Sequence, residues 1–506
     1  MKIVFPVMGA ENISVCYLST VLKEAGHTVK VAFDRSLFDD QQYFSVPFLN
    51  RIFTEEKRMI KDIIKERPDV LALSVFADNY QWSLEVAREV RKHHPCITVW
   101  GGIHPTSCPE EVISRDEVDY MIVGEGEKPF QALLEALGKK ESPEKISNLW
   151  MKKNGHIIRN KPRPLMGPKD FPAVDKTIYE KFIPMKDYYL TVTSKGCIAH
   201  CSYCMQNFLK KWEKEQDLGG PFLREKPVEA VLDELTSMKR LYGVRYVDIK
   251  NNILSGNNKW LDEFLERYPK EVGLPFRIMG HPLLFQRDQA TRLKKAGCHH
   301  IQIGIESLNP VVRKQVLLRN ETNDQIIRAL DSIEAAGINF SVDIIVGLPG
   351  ESEKDLILVL KVIAKYRKLI RASIFWLQYL PNVDITKMAM SKGYIDGKTE
   401  IMINQGLQNN YLSTGSSMEP ERERILKTYH ILFRLLPITS KRVMHFLIDS
   451  GIYRIFRYIP FQVAFIIAID VFVSFVRKDY YAKWIMGWYF KQIFRHISGK
   501  IETVSD

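Results

Sequence analysis

Short apolar runs alternate with longer stretches in which apolar positions recur every three or four residues, and this alternation divides the chain. From Met1 to about Leu137 the strand-like runs are Lys2–Phe5, Thr28–Phe33, Val70–Val75, Ile97–Trp100 and Tyr120–Val123. Amphipathic stretches with helical spacing lie between them, among them Val15–Ala25, Glu55–Lys65 and Gln81–Lys92. Strand and helix in alternation predict a doubly wound parallel sheet covered on both faces, with ligands bound beyond the carboxyl ends of its strands. Two turns at those ends contain glycine, Trp100-Gly101-Gly102-Ile103-His104-Pro105 and Val123-Gly124-Glu125-Gly126-Glu127, and glycine admits close approach of backbone to a bulky ligand.

Residues 138–187 break the pattern. They are rich in Lys, Pro and Gly, a composition that predicts an extended linker. From 188 to 381 the alternation resumes. The strands expected there are Leu190–Thr193, Tyr246–Lys250, Phe276–Met279, His300–Ile305, Ser341–Val346 and Ala372–Tyr379. The helices expected between them are Val228–Leu241, Trp260–Arg267, Asp288–Ala296, Asp324–Ala336 and Glu353–Tyr366. Six β/α units predict a partial (β/α)6 barrel, whose function lies at the C-terminal ends of the strands. Residues 382–506 read as a mainly helical segment. The fold class is therefore α/β with a helical C-terminus, in about three domains as 506 residues allow.

Composition changes this picture at one end only. The hydrophobic and charged fractions, 45% and 26%, are ordinary for a folded chain. The net charge is +12, and residues 441–500 carry ten Lys or Arg against three Asp, a net +7. The basic excess thus belongs to the C-terminal segment. Seven cysteines are an odd number, unlike a secreted disulfide framework, and the N-terminus lacks a charged region followed by a long apolar run. A reducing, cytoplasmic setting is expected.

The candidate chemistry lies in Ser194-Lys195-Gly196-Cys197-Ile198-Ala199-His200-Cys201-Ser202-Tyr203-Cys204, directly after the first barrel strand. Three thiolates on one short loop can hold three irons of a cubane cluster and leave the fourth open to a small molecule bearing an amine and a carboxylate. A structural zinc site, with His200 as fourth ligand, could use the same residues. So could a set of inert buried thiols.

Cys-x3-Cys-x2-Cys with an aromatic before the last Cys, placed after the first strand of a barrel, resembles the radical SAM superfamily. The resemblance implies a 4Fe–4S cluster on Cys197, Cys201 and Cys204, with S-adenosylmethionine (SAM) on the open iron and cleaved to a 5′-deoxyadenosyl radical. It implies that Tyr203 shields the cluster or packs on adenine. Asp248 and Asn251, in Asp248-Ile249-Lys250-Asn251-Asn252, fall where the family places groups near the SAM amino group, although many relatives carry paired acids there. Glu306, in Gly304-Ile305-Glu306-Ser307, falls where the family's Gly-Ile-Glu-Ser segment faces SAM. Gly347, in Val346-Gly347-Leu348-Pro349-Gly350-Glu351, falls in the loop that packs on adenine.

A doubly wound domain ahead of such a barrel is similar to the cobalamin-binding class of that superfamily. The runs Ser74-Val75-Phe76, Gly101-Gly102-Ile103-His104 and Val123-Gly124-Glu125 carry this part of the likeness, which covers about the first 380 residues. It implies cobalamin between the two domains, touching Ser74, Gly101, Gly102, Gly124 and Glu125. The Asp-x-His-x-x-Gly motif that supplies a lower cobalt ligand in other cobalamin enzymes is absent, so no residue is assigned to that position.

Residues 459–476 are almost wholly apolar, but Gln462 and Asp470 would be costly at a bilayer centre. Aromatics interleaved with Lys and Arg follow from Tyr480 to Arg495. That pattern suits a helix lying in an anionic headgroup layer, or a core helix of a capping domain, and is too apolar for a nucleic-acid groove. The expectation is a radical SAM methyltransferase that uses cobalamin on an unactivated carbon of a small hydrophobic substrate (lipid, isoprenoid or tetrapyrrole). It would be reduced by a flavodoxin or ferredoxin, with an anionic membrane surface and no nucleic acid as partner, and sit peripherally on the inner face of the membrane. Radical oxidative cyclisation or rearrangement is the runner-up, and a non-catalytic cobalamin- or membrane-binding module stands behind it.

Overall fold

The structure, a computed structural model, describes residues 1–40, 44–45, 47–285, 288–407 and 419–498. Strands β1 (Lys2–Met8), β2 (Thr28–Asp34), β3 (Val70–Ser74), β4 (Ile97–Gly101) and β5 (Tyr120–Ile122) run parallel in the order β2-β1-β3-β4-β5. Alternate residues of each strand serve opposite faces. Ile3, Phe5 and Val7 pack beneath α1 (Ile13–Glu24) and α4 (Glu127–Lys139), whereas Val4, Leu71 and Leu73 pack beneath α2 (Glu56–Glu66) and α3 (Tyr80–His93). Strands buried on both faces read as continuous apolar runs, which is why their positions were plain from the sequence. The order reverses between β1 and β3, and the resulting crevice is bridged where Asn12 Nδ2 donates to Ser74 Oγ at 3.0 Å.

The stretch 138–187 differs from a simple extended connection. Strands β6 (Leu149–Lys153) and β7 (His156–Arg159) form a hairpin that lengthens the sheet antiparallel to β5. Its turn is Asn154-Gly155, both with positive φ (+51° and +76°), the pair that tight hairpins favour. Past the hairpin the chain is pinned to both domains. Ser19 Oγ donates to Asp175 at 2.6 Å, and Lys176 Nζ pairs with Glu11 while donating to the Leu190 carbonyl at 2.8 Å.

The second sheet holds β8 (Tyr189–Thr191), β9 (Val247–Ile249), β10 (Phe276–Gly280), β11 (Cys298–Glu306), β12 (Asn339–Val346) and β13 (Leu369–Trp376). All are parallel and in sequence order, without pairing between the first and the last, so the barrel is partial. Its outer layer includes α5 (Met205–Glu215), α6 (Val228–Tyr242), α7 (Asn258–Glu271), α8 (Gln289–Lys295), α9 (Asn323–Ala335) and α10 (Glu353–Ile363). Ile301, Ile303, Phe340 and Val342 point to the apolar core under these helices. The alternate positions carry Arg277, His300, Gln302, Ser341, Asp343 and Arg371, so the lumen is polar. There Gln302 Nε2 donates to Asp343 at 2.7 Å, and Arg277 stands 3.6 Å from Asp248.

Of the C-terminal helices α11 (Pro420–Leu435), α12 (Lys441–Asp449), α13 (Gln462–Val476) and α14 (Tyr480–Ser498), α11 runs beside β13 and reaches Glu353 through Tyr429, while α13 and α14 close the barrel at the amino ends of its strands. Helix α13 packs on α11 and β13, with Arg477 Nε donating to the Leu369 carbonyl at 3.0 Å. Helix α14 crosses to the opposite edge. Trp484 stacks on Tyr188 at 4.5 Å, and Tyr480 on Tyr246 at 4.3 Å, just ahead of β8 and β9. Asp479, between the two helices, reaches Arg371 in the lumen at 3.1 Å.

Candidate active site

The cysteine loop leaves β8 and is held on both sides. Gly196 takes φ +90°, and a Cβ there would collide with the Phe222 carbonyl, so only glycine fits directly before Cys197. Asn251 anchors the approach. Its Oδ1 accepts from Thr193 N at 2.8 Å, and its Nδ2 donates to Ser194 Oγ at 3.1 Å. Asn252 Nδ2 donates to the Gly196 carbonyl at 3.1 Å. On the far side Ser202 N donates to the Leu317 carbonyl, and Ile385 N to the Ser202 carbonyl, each at 3.0 Å. Cys204 then caps α5.

Cys197 and Cys201 are buried and Cys204 half-buried. Burial pushes all three thiols up, Cys201 to about 11. Ligation requires thiolates, so metal assembly on this loop releases protons. The zinc alternative loses its fourth ligand, because His200 is exposed and turns to Lys210 Nζ at 3.3 Å. Among the described residues no three His, Cys, Asp or Glu side chains converge around a single ion.

Beside the loop lies a cavity of about 490 Å³ between the two α/β domains. The first domain contributes Phe76, Asp78, Ile103 and His104, the cysteine loop Tyr203 and Met205, and the barrel Glu306, Asp343, Phe375 and Trp376. Glu306 has left-handed backbone, φ +56°. Its carboxyl folds back over Gly304, where a Cβ would collide with Oε1. Burial pushes Glu306 up to about 7, against the opposing pull of Arg319. Arg319 Nη1 is 3.2 Å from both Glu306 Oε1 and the Tyr203 hydroxyl, and its Nη2 donates to the Gly304 carbonyl at 2.8 Å. Burial also pushes Asp343 up to about 6 and His104 down to about 4. The His104 ring is therefore neutral at pH 7.

The structure brings some of the sequence-nominated residues to this cavity and places others elsewhere. Tyr203 and Glu306 line it. Ser74, Gly101 and Gly102 sit at the strand ends directly before its Phe76 and His104 walls. Gly124 lies against the Trp212 indole of α5. Glu125 forms a clamp between domains, 2.9 Å from Arg224 and 3.4 Å from Lys195, and accepts from Met166 N at 2.9 Å. Asp248 is taken by the Tyr188 hydroxyl and Arg277 inside the lumen. Gly347 N donates to Glu351 at 2.8 Å. Arg319, His104 and Asp343 were not nominated. Arg319 lies in a loop with no motif, and its role is visible only once Tyr203 and Glu306 stand beside it.

Two family signatures fall on these two units. The Radical SAM superfamily matches residues 191–363, and the B12 binding domain matches residues 9–134. The chain belongs to the cobalamin-binding class of the radical SAM superfamily. It is 25% identical over 325 residues to an uncharacterised methyltransferase of Pyrococcus horikoshii, covering 62% of this chain and 67% of that one. Its fold is that of TsrM from Kitasatospora setae with cobalamin and a 4Fe–4S cluster bound. The TM-score is 0.60 at 16% identity, over 90% of this chain and 99% of that one. OxsB with aqua-cobalamin bound gives a TM-score of 0.63 at 14% identity, over 99% and 84%.

The class is thus that of the cobalamin-dependent radical SAM methyltransferases, and a 4Fe–4S cluster, SAM and cobalamin are the cofactors. The residues present fit them. Three thiols share one loop at the cavity edge, and the cavity opens onto both strand-end crevices. A polar atom without a partner, Trp376 Nε1, is buried at its wall. No described helix is long and apolar enough to cross a membrane.

Proposed function

We propose that the enzyme methylates an unactivated carbon of a hydrophobic substrate, in the lipid, isoprenoid or tetrapyrrole range, and works peripherally on the inner face of a membrane. The observation that carries this reading is the cavity between the two domains, whose walls are largely apolar: Ile103, Met205, Ile345, Phe375, Leu377 and Leu380. When bound, the cluster and SAM supply a radical able to remove hydrogen from such a carbon, and cobalamin carries the methyl group.

The chain's own part is placement. The cysteine loop, pinned by Asn251, Ser202 and Ile385, fixes where the radical arises. Glu306 offers its carboxyl to the SAM ammonium, and Arg319 holds that carboxyl and the Tyr203 hydroxyl in one arrangement. The apolar walls keep water from the reacting carbon.

The test is anaerobic reconstitution with cobalamin and turnover of methyl-deuterated SAM in a membrane extract. Label in a lipid-soluble product, with S-adenosylhomocysteine and 5′-deoxyadenosine formed together, is the expected result. Label confined to water-soluble compounds would overturn the hydrophobic substrate. 5′-Deoxyadenosine without S-adenosylhomocysteine would favour cyclisation or rearrangement.

A further inference from the structure

The C-terminal cap presents an apolar face to water. A helix at a protein surface turns polar residues to water and apolar ones inward. Helix α13 buries Ile466, Ile469 and Val473 but turns apolar residues to water as well. Its three polar side chains all serve the interior. Gln462 donates to the Phe456 carbonyl at 2.7 Å, Asp470 pairs with Arg434 at 3.0 Å, and buried Ser474 accepts from Arg371 at 3.1 Å. Its exposed positions, Ala464, Phe465, Ala468, Phe472, Phe475 and Val476, recur at helical spacing on one face and are all apolar. Phe461, just ahead of the helix, is 86% exposed in left-handed backbone, φ +54°, a strained conformation for a non-glycine residue.

The neighbouring elements continue this face. Helix α14 exposes Phe490, Phe494 and Ile497 on the stripe that also carries Lys483 and Lys491, and α12 exposes Val443 and Phe446. Among the described residues, 13 of the 26 large apolar side chains that stand exposed lie between Val443 and Ile497. The exposed apolar surface is therefore concentrated on this cap. The charges interleaved with it have one sign. Lys441, Arg442, Arg454, Lys478, Lys483 and Lys491 are exposed, whereas the only exposed acid between Lys441 and Ser498 is Asp449, itself paired with Lys361 at 2.5 Å.

We infer that this face is a docking surface for an anionic phospholipid bilayer, with α13 and α14 lying in the headgroup layer. The inference rests on the membrane-side reading above and names the surface that serves it. Aromatics at the apolar–polar boundary and lysines among them match an interface whose headgroups are negative. A spanning helix does not fit. The 15 residues of α13 reach about 22 Å, short of the roughly 30 Å of a hydrocarbon core. A second copy of the chain does not fit either, because a two-fold pairing would set this basic face against itself. Inside the cap, Asp470, Asp479 and Tyr481 line a small polar lumen pocket that shares Phe375 with the cavity at the cysteine loop. Docking thus seats the barrel on the membrane by its amino end, and α14 also packs on the first domain, where Tyr489 meets Phe38 and His496 meets Phe53.

The test is flotation of the full chain with vesicles of phosphatidylcholine, with and without phosphatidylglycerol. The protein is expected to float with the anionic vesicles and to be released by salt. Phe472→Ser/Phe475→Ser, on exposed positions outside the site, is expected to weaken partitioning roughly tenfold or more. Lys483→Glu/Lys491→Glu is expected to abolish the preference for phosphatidylglycerol. Wild-type protein that floats with neither vesicle overturns the inference. So does a dimer in analytical ultracentrifugation that the Phe variants dissociate, since a second copy would then cover the face. Flotation is read on the protein itself and needs no turnover, so its failure leaves the methyl-transfer reading standing, and a failed turnover assay leaves docking standing.

Discussion

Arg319 Nη1 lies 3.2 Å from Glu306 Oε1 and shares its charge with a second buried carboxylate, Glu321. One guanidinium thus fixes a carboxyl that burial raises to about 7, at the edge of the cavity beside the cysteine loop. A carboxyl of this kind ionises cheaply once a cation arrives, and the ammonium of SAM is such a cation.

Glu306→Gln tests that role. The amide keeps the shape and can still accept from Arg319, but cannot pair with an ammonium. SAM affinity is expected to fall by about 10–100-fold, ~1.4–2.7 kcal/mol, as read by isothermal titration of the reconstituted protein. Iron content should remain at the wild-type level. Unchanged SAM affinity would assign Glu306 to packing alone.

Cys201→Ala separates the two domains chemically. The substitution removes one of the three thiols without touching the first sheet, so iron and sulfide should drop to background and SAM cleavage should vanish. Cobalt uptake should persist, because Ser74, Gly101 and His104 stand on the other unit. Metal analysis after anaerobic reconstitution reads both at once. Gly196→Ala should act in the same direction through backbone, since its φ of +90° and the collision with the Phe222 carbonyl distort the loop.

The parts of this architecture that were legible in the sequence are those set by local pattern. The parallel strands stood out because burial on both faces makes each a short apolar run, and the cysteines stood out because their spacing lies within one loop. The hairpin at Asn154-Gly155 was also written locally, but the surrounding Lys and Pro masked it. What could not be read depends on partners far apart in the chain. Arg319 meets Tyr203 across 116 residues, and Glu125 meets Arg224 across 99. The uniform apolarity of residues 459–476 carries no period, so nothing in it said which face would meet the barrel.

The Glu125 clamp gives a third prediction. Burial alone would raise this carboxyl, but Lys195, Arg224 and the Met166 N–H outweigh it and hold Glu125 below the usual range. A depressed carboxyl contributes stability that is present at neutral pH and lost as the pH falls through its folded value. Glu125→Gln would leave Arg224, nearly fully buried, without its counter-charge, at a cost of about 2–4 kcal/mol. Thermal unfolding at pH 7 should show a lower midpoint, and the gap to wild type should narrow in acid. Cobalt uptake lost without a change in midpoint would place Glu125 on the cofactor instead.

Glu351 predicts the opposite pH slope. It is half-buried behind the loop after β12, accepts from Gly347 N at 2.8 Å, and is pushed by desolvation up to about 8. A carboxyl raised in the folded state binds its proton more tightly there than in the unfolded chain. Its contribution to stability is therefore complete below the ordinary carboxylate range and declines as the pH rises toward 8. The decline has an upper limit of about 5 kcal/mol, reduced to the extent that water reaches the site. Glu351→Gln retains an acceptor for the Gly347 N–H but has no proton to lose. Unfolding midpoints measured from pH 5 to pH 9 should fall for the wild type and run flatter for the variant, the two crossing as the wild-type carboxyl ionises. Parallel curves would mean that Glu351 is already charged in the folded protein, with Arg422 compensating it.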